Sequence, residues 1–209
     1  MVKTFILAFT LLVVFVSAGA DELVLQPGSE GKDTIVISSD PNTNFDGGAL
    51  TFGNWATGDR ETLIEWDISD LPASVVIADA TMELYCTYAS DSPTTDVFLH
   101  MCTESWDEGT VTWNTKPYTT NEDKITADWP ETDYWYAVDV TTFIDNWYTG
   151  AWDNYGILIR SDVPDDDIYA KFYSSDDEDH EQLRPKLTIT YMVTGVEGTS
   201  FGRIKAVFN

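Results

Sequence analysis

A chain that holds a sugar needs flat apolar rings for the pyranose C–H faces and short polar side chains for the hydroxyls. Five aromatic residues stand beside turn-rich sequence with such neighbours: Trp55, Trp129, Tyr134, Trp135 and Trp152, near Asn54, Asp59, Asp133 and Asp153. They are the candidate carbohydrate-binding residues, weighed against the ordinary alternative that large rings pack inward. The acidic loops offer a second chemistry, because calcium takes roughly six to eight oxygens from carboxylates and carbonyls. Asp33, Asp46 and Asp176 are the candidate metal ligands, with Asp165, Asp166, Asp167, Asp177 and Asp179 as further carboxylates. No segment has EF-hand spacing, and solvated acidic loops are the competing reading. The expectation is that no cofactor is required, with a structural calcium as the one candidate.

Cys86 and Cys102 flank a loop centred on residues 91–95, and an antiparallel hairpin there brings them close enough for a disulfide. Two small buried residues are the alternative, since facing strands can also place the thiols on opposite faces. Of the two histidines, His100 lies in an apolar strand beside Met101 and His180 in an acidic loop. There is no nucleophile elbow, HExxH or phosphate loop, and carboxylates are too abundant to single out a glycosidase pair. The chain is therefore expected not to be an enzyme.

These residues need positioning elements, and short β-strands separated by turns supply them. Residues 33–38, 50–53, 62–68, 77–88, 97–102, 155–159, 170–174 and 186–191 are rich in β-branched and aromatic side chains. Met82, Leu84, Cys86 and Tyr88 alternate with Glu83, Tyr85 and Thr87, as in a half-buried strand. Asp40-Pro41-Asn42, Asp46-Gly47-Gly48, Asp91-Ser92-Pro93 and Pro164-Asp165-Asp166 mark turns. One segment has a helical period instead: Val140, Phe143, Ile144, Trp147 and Tyr148, with Asp139 to cap its start and Gly150 to end it. The expected fold is all-β, a mostly antiparallel sandwich with one short helix covering an open end.

Residues 1–20 carry Lys3, an apolar run and Ala18-Gly19-Ala20, the pattern of a cleaved secretory signal, so the mature chain is expected to begin at Asp21 and to be extracellular or on the cell surface. A domain over residues 21–191 and a tail over 192–209 follow. Losing Lys3 leaves 11 − 1 = 10 basic against 36 acidic residues, a charge of −26. Such a surface repels phosphate backbones and anionic lipid, which argues against nucleic acid as a partner; no membrane span is expected after cleavage, since the apolar run is short and no stop-transfer flank follows. With 43 % apolar residues the chain has ample material for a core, which argues against disorder.

Three stretches together resemble a known module. Leu50-Thr51-Phe52-Gly53 leads to Arg60, then Trp66-Asp67 and Leu71-Pro72. Trp106-Asp107-Glu108-Gly109-Thr110-Val111-Thr112-Trp113-Asn114 is the most specific piece. Asp139-Val140-Thr141, Trp147, Ser174-Ser175 and Arg184-Pro185-Lys186-Leu187 complete the order. This arrangement is similar to the disaggregatase-related repeat (DNRLRE) domain, a carbohydrate-binding-module-like family, and covers about residues 33–191. The resemblance implies a jelly-roll-type β-sandwich that binds polysaccharide or a cell-surface glycan without catalysis. The alternative is a structural or adhesive surface protein that self-associates. Within this pattern Trp106, Trp113 and Trp147 read as core or end-cap residues, and Arg60 with Asp67 as a structural charge pair.

Overall fold

The computed structural model describes residues 19–56, 58–91, 95–162 and 167–194. Most of the expected signal segment, the tail beyond residue 194, and Asp165 and Asp166 lie outside the described residues. Among the described residues eleven strands and one α-helix follow in order: β1 (Asp21–Leu25), β2 (Lys32–Ile37), β3 (Leu50–Trp55), β4 (Gly58–Glu65), β5 (Val75–Ala89), β6 (Val97–Met101), β7 (Ile125–Ala127), β8 (Tyr134–Asp139), α1 (Thr141–Thr149), β9 (Ile157–Ser161), β10 (Ile168–Phe172) and β11 (Lys186–Val193). All strand pairings are antiparallel. The expected all-β sandwich with a single short helix is the fold observed.

Two long strands turn one hydrogen-bonded network into two layers by changing partners along their length. Arg60 on β4 faces Ile37 and Gly53, whereas Thr62 faces Ile35 and Ile159, so β3 gives way to β9 on the same edge. On β5, Thr81 faces Thr188 and Asp139 while Cys86 faces Phe172 and Tyr134, so β11 gives way to β10. One layer is thus β8-β5 with β11-β1 and β10-β3 on the far edge of β5, and the other is β2-β4-β9-β6-β7. Their inner faces share a core that includes Phe52, Leu84, Leu99, Ile159, Phe172 and Ile189, each fully buried. Burial of a side chain of this size contributes about 1.5–3 kcal/mol.

Helix α1 closes one end. Phe143, Ile144 and Trp147 are buried, and the helix packs against β5. The Asp139 carboxylate accepts from the Thr141 N–H at 2.9 Å, one residue ahead of the structural N-cap Val140. Gly150 ends the helix at φ +73°, a conformation that costs glycine nothing. Trp106 and Trp147 are buried as expected, and the Trp106 indole donates to the Tyr155 carbonyl at 2.9 Å.

Three expectations fail at the level of pairing. Strands β5 and β6 do not form a hairpin: β5 pairs with β11, β8 and β10, and β6 with β7 and β9. Cys86 and Cys102 are consequently both free, buried thiols in separate apolar clusters rather than a disulfide. Burial pushes them up to about 11 and about 12 respectively. The Arg60–Asp67 pair is also absent, because the two lie at opposite ends of an extended segment, roughly 23 Å of strand apart; Arg60 stacks on Trp55 and Asp67 accepts from the Ser69 N–H. Finally, a register shift opposite Lys171 and Phe172 lets Tyr88 face solvent rather than join Cys86 in the core.

Candidate glycan-binding groove and acidic cluster

Strands β7 and β8 each have one partner among the described residues, so one edge of each layer is open on the same side of the sandwich. Between them lies a groove of about 610 Å³ lined by residues 125–131 and 134–139. Three of the five aromatic residues singled out in the sequence meet there: Trp129, Tyr134 and Trp135.

Each wall residue is set by the fold beneath it. The Trp129 ring stands edge-on to Phe52, with centroids 5.6 Å apart at 90°, and its indole N–H donates to the Ser90 carbonyl at 3.2 Å. The turn before β8 is tied to the end of β5 by the Asp133 N–H on the Cys86 carbonyl (2.8 Å) and by the Ala89 N–H on the Thr132 hydroxyl (2.7 Å). Asp133 sits there at φ +59°, which aspartate tolerates better than most residues. Strand alternation then points Trp135 outward, edge-on to Tyr85 at 5.4 Å, and Tyr136 inward. Tyr134, at the strand end, is 66 % exposed. The Tyr136 hydroxyl has no hydrogen-bond partner among the described residues, and burial raises its pKa, with the Asp128 carboxylate adding to the effect.

The groove's ionisable carboxyl groups are Asp128, Glu131 and Asp139, and among the described residues no lysine or arginine belongs to its lining. Lys32, Arg60, Lys116, Lys124 and Lys171 lie over aromatic rings outside it, whereas Lys186, paired with Glu83 at 2.8 Å, lies over the Trp135 ring of the groove at 5.0 Å. Trp55 is therefore covered: Tyr169 stacks on it at 4.9 Å, with Arg60 and Lys171 over the ring at 4.6 and 4.2 Å. Trp152 packs against the main core beyond the helix end. These two do not join the groove.

Both histidines are engaged. His100 is 2 % exposed, with Nδ1 facing the Thr120 carbonyl at 3.1 Å and Nε2 accepting from Arg160 at 3.4 Å. Burial lowers its pKa. His180 stacks on Tyr173 at 4.4 Å and reaches Asp177 at 3.0 Å.

A second constellation lies where three segments meet. Asp33 on β2, Glu108 in the turn after Trp106, and Asp176 after β10 bring carboxylate oxygens within 4.8 Å of one another. Asn44 holds the Glu108 turn by donating to the Glu108 and Val111 carbonyls at 2.7 and 2.9 Å. The Asp33 N–H donates to Glu108 Oε1 at 2.7 Å, and the Ser175 N–H to Asp33 Oδ2 at 2.9 Å. Burial pushes the Asp33 carboxyl up to about 7, against the hydrogen bond from the Ser175 N–H, with the neighbouring Glu108 and Asp176 charges adding to the rise. Glu108 and Asp176 are raised too, first by burial and then, for both, by the Asp46 charge. Asp33 and Asp176 were legible from sequence, and Asp46 stands in the surrounding field. Glu108 was not legible as a ligand, because it sat inside a motif whose tryptophans drew the structural reading.

Comparison with known proteins decides the class. Residues 27–191 match the profile of carbohydrate-binding module family 96. The chain belongs to that family. A family 96 module is thus what the sandwich and its groove represent, and the match covers the coarser class implied by the sequence resemblance. The module is also similar to the tRNA3(Ser)-specific nuclease WapA of Bacillus spizizenii, 24 % identical over 179 residues, covering 79 % of this chain and 7 % of that protein. The tRNA nuclease WapA of Bacillus subtilis strain 168 matches with the same identity and coverage. The chain therefore spans about 7 % of the length of the curated relatives it matches.

Proposed function

We propose that this family 96 module is a secreted, non-catalytic binder of a neutral, hydroxyl-rich polysaccharide, acting at a cell surface or in an extracellular matrix. The supporting observation is the groove: exposed Tyr134 and half-buried Trp135 and Trp129 supply ring faces and edges beside the carboxylates of Asp128, Glu131 and Asp139. Carboxylates accept from sugar hydroxyls. Three lining carboxylates, with the Lys186 over Trp135 already paired to Glu83 at 2.8 Å, favour uncharged sugars over acidic ones. The resemblance to the disaggregatase-related repeat belongs to the same reading. Nuclease activity, named for relatives many times longer, is not part of it; a charge of −25 disfavours nucleic acid.

The test is affinity electrophoresis of the full chain through gels containing a panel of neutral and acidic polysaccharides. Retardation by a neutral polymer is expected, with affinity falling at least tenfold in Tyr134→Ala and in Trp135→Ala and unchanged in Tyr118→Ala, an exposed ring outside the groove. Equal retardation of all four proteins would overturn the location, and no retardation by any polymer would overturn the reading.

Self-association is a second reading favoured by one feature. Val24 on edge strand β1 and Met192 and Val193 on neighbouring β11 are exposed apolar residues. A concentration-independent monomer in sedimentation would dismiss it.

A further inference from the structure

The acidic cluster raises a question that the glycan reading does not answer. Asp33 is 2 % exposed, yet its Oδ1 has no hydrogen-bond partner among the described residues, and neither has Asp176 Oδ2. Ser175, 1 % exposed, backs the same carboxylate with its N–H while its own hydroxyl oxygen is unpartnered. Burying a polar oxygen without a partner costs on the scale of a lost hydrogen bond, and a buried carboxylate costs more. Here three carboxyl groups converge, with no ion pair reaching any of them among the described residues. Lys32 is engaged with Glu65 at 2.6 Å and lies over Trp106, and the Arg184 Nε donates to the Asp177 carbonyl.

We propose that Asp33, Glu108 and Asp176 bind one calcium ion. Oxygen donors alone select a hard cation, and nothing in the cluster offers nitrogen or sulfur. Oxygens sharing one calcium at about 2.3–2.6 Å lie at most about 5 Å apart, which the 4.8 Å limit on this group satisfies. Calcium also tolerates the irregular, carboxylate-rich geometry of three ligands drawn from one strand and two separate loops, whereas magnesium demands a near-ideal octahedron. Asp46, whose charge already acts on Glu108 and Asp176, adds field without being required as a ligand. The ion is a clamp: it fastens β2 to the turn after Trp106 and to the loop after β10, three segments far apart in sequence. It leaves the groove between β7 and β8 untouched, so this proposal stands or falls apart from the glycan reading.

The experiment titrates calcium into the chelator-stripped full chain by calorimetry and follows thermal melting. One saturable site is expected, with Tm rising by about 3–6 °C at a tenfold excess of calcium over its Kd. Glu108→Gln and Asp176→Asn should each weaken binding at least tenfold and remove the rise; these partly exposed positions keep the test sound if Asp33→Asn fails to fold. The proposal is overturned if the wild-type chain shows no calcium-linked rise. It is equally overturned if the variants keep the full rise, which would place binding elsewhere, or if they melt above the wild type even when calcium saturates it, the signature of repulsion merely relieved.

Discussion

Replacing Phe52 by alanine removes the ring on which the groove is built. Phe52 is fully buried, stacks on Phe172 at 5.3 Å, meets Trp129 edge-on at 5.6 Å and leans on Tyr136 at 6.3 Å. Truncating a buried phenylalanine costs about 3–5 kcal/mol, from lost transfer energy and the cavity left behind. Natural domains hold about 5–15 kcal/mol in total, so a folded population should survive. With a urea dependence of about 2–3 kcal/mol per molar, the unfolding midpoint should fall by about 1–2.5 M. Two of the three rings around Phe52 line the groove, so polysaccharide affinity should also drop, by about tenfold, under conditions where the variant is still folded. The assay pairs urea denaturation, read by tryptophan fluorescence, with affinity electrophoresis in the cold. A midpoint shift below about 0.5 M would refute the packing argument, and full affinity in a clearly destabilised variant would refute the coupling of core to groove.

The free thiols give a simple outcome: reductant should move Tm by less than about 1 °C, whereas losing a disulfide across this loop would cost about 3 kcal/mol and about 6–12 °C. Gly53 stands at φ +109° where a Cβ would lie 2.4 Å from the Ile168 carbonyl oxygen, so Gly53→Ala should cost about 2–6 kcal/mol in denaturant melts. Gly150→Ala, at φ +73° with open space around it, should cost only about 1–2 kcal/mol; equal losses would contradict the close β3–β10 approach.

The extent to which the fold was legible depended on how local each signal was. The helical period of Val140, Phe143, Ile144 and Trp147 is a property of one segment, and α1 appears within two residues of it. Strands of β-branched residues, such as β2 and β11, are equally local. Pairing is not, because which strand lies beside β5 is decided by how both layers close, and nothing near Cys86 or Cys102 encodes it. The Tyr134–Asp139 strand was missed for a related reason: its rings suggested ligand contacts, and in the fold they serve as an edge strand and a groove wall together. Trp55 shows the converse. Its neighbours in sequence suggested exposure, but Tyr169, Arg60 and Lys171 arrive from β10 and β4 to cover it. The acidic cluster was half legible, since the eight candidate aspartates could not reveal that a glutamate from a third segment would complete it.

The most direct test of the central claim is hydrogen exchange of the full chain with and without a polysaccharide that retards it. Slower exchange confined to residues 125–139 is the predicted result. Protection confined to β1 and β11, or no change at saturating polysaccharide, would contradict the groove as the binding site.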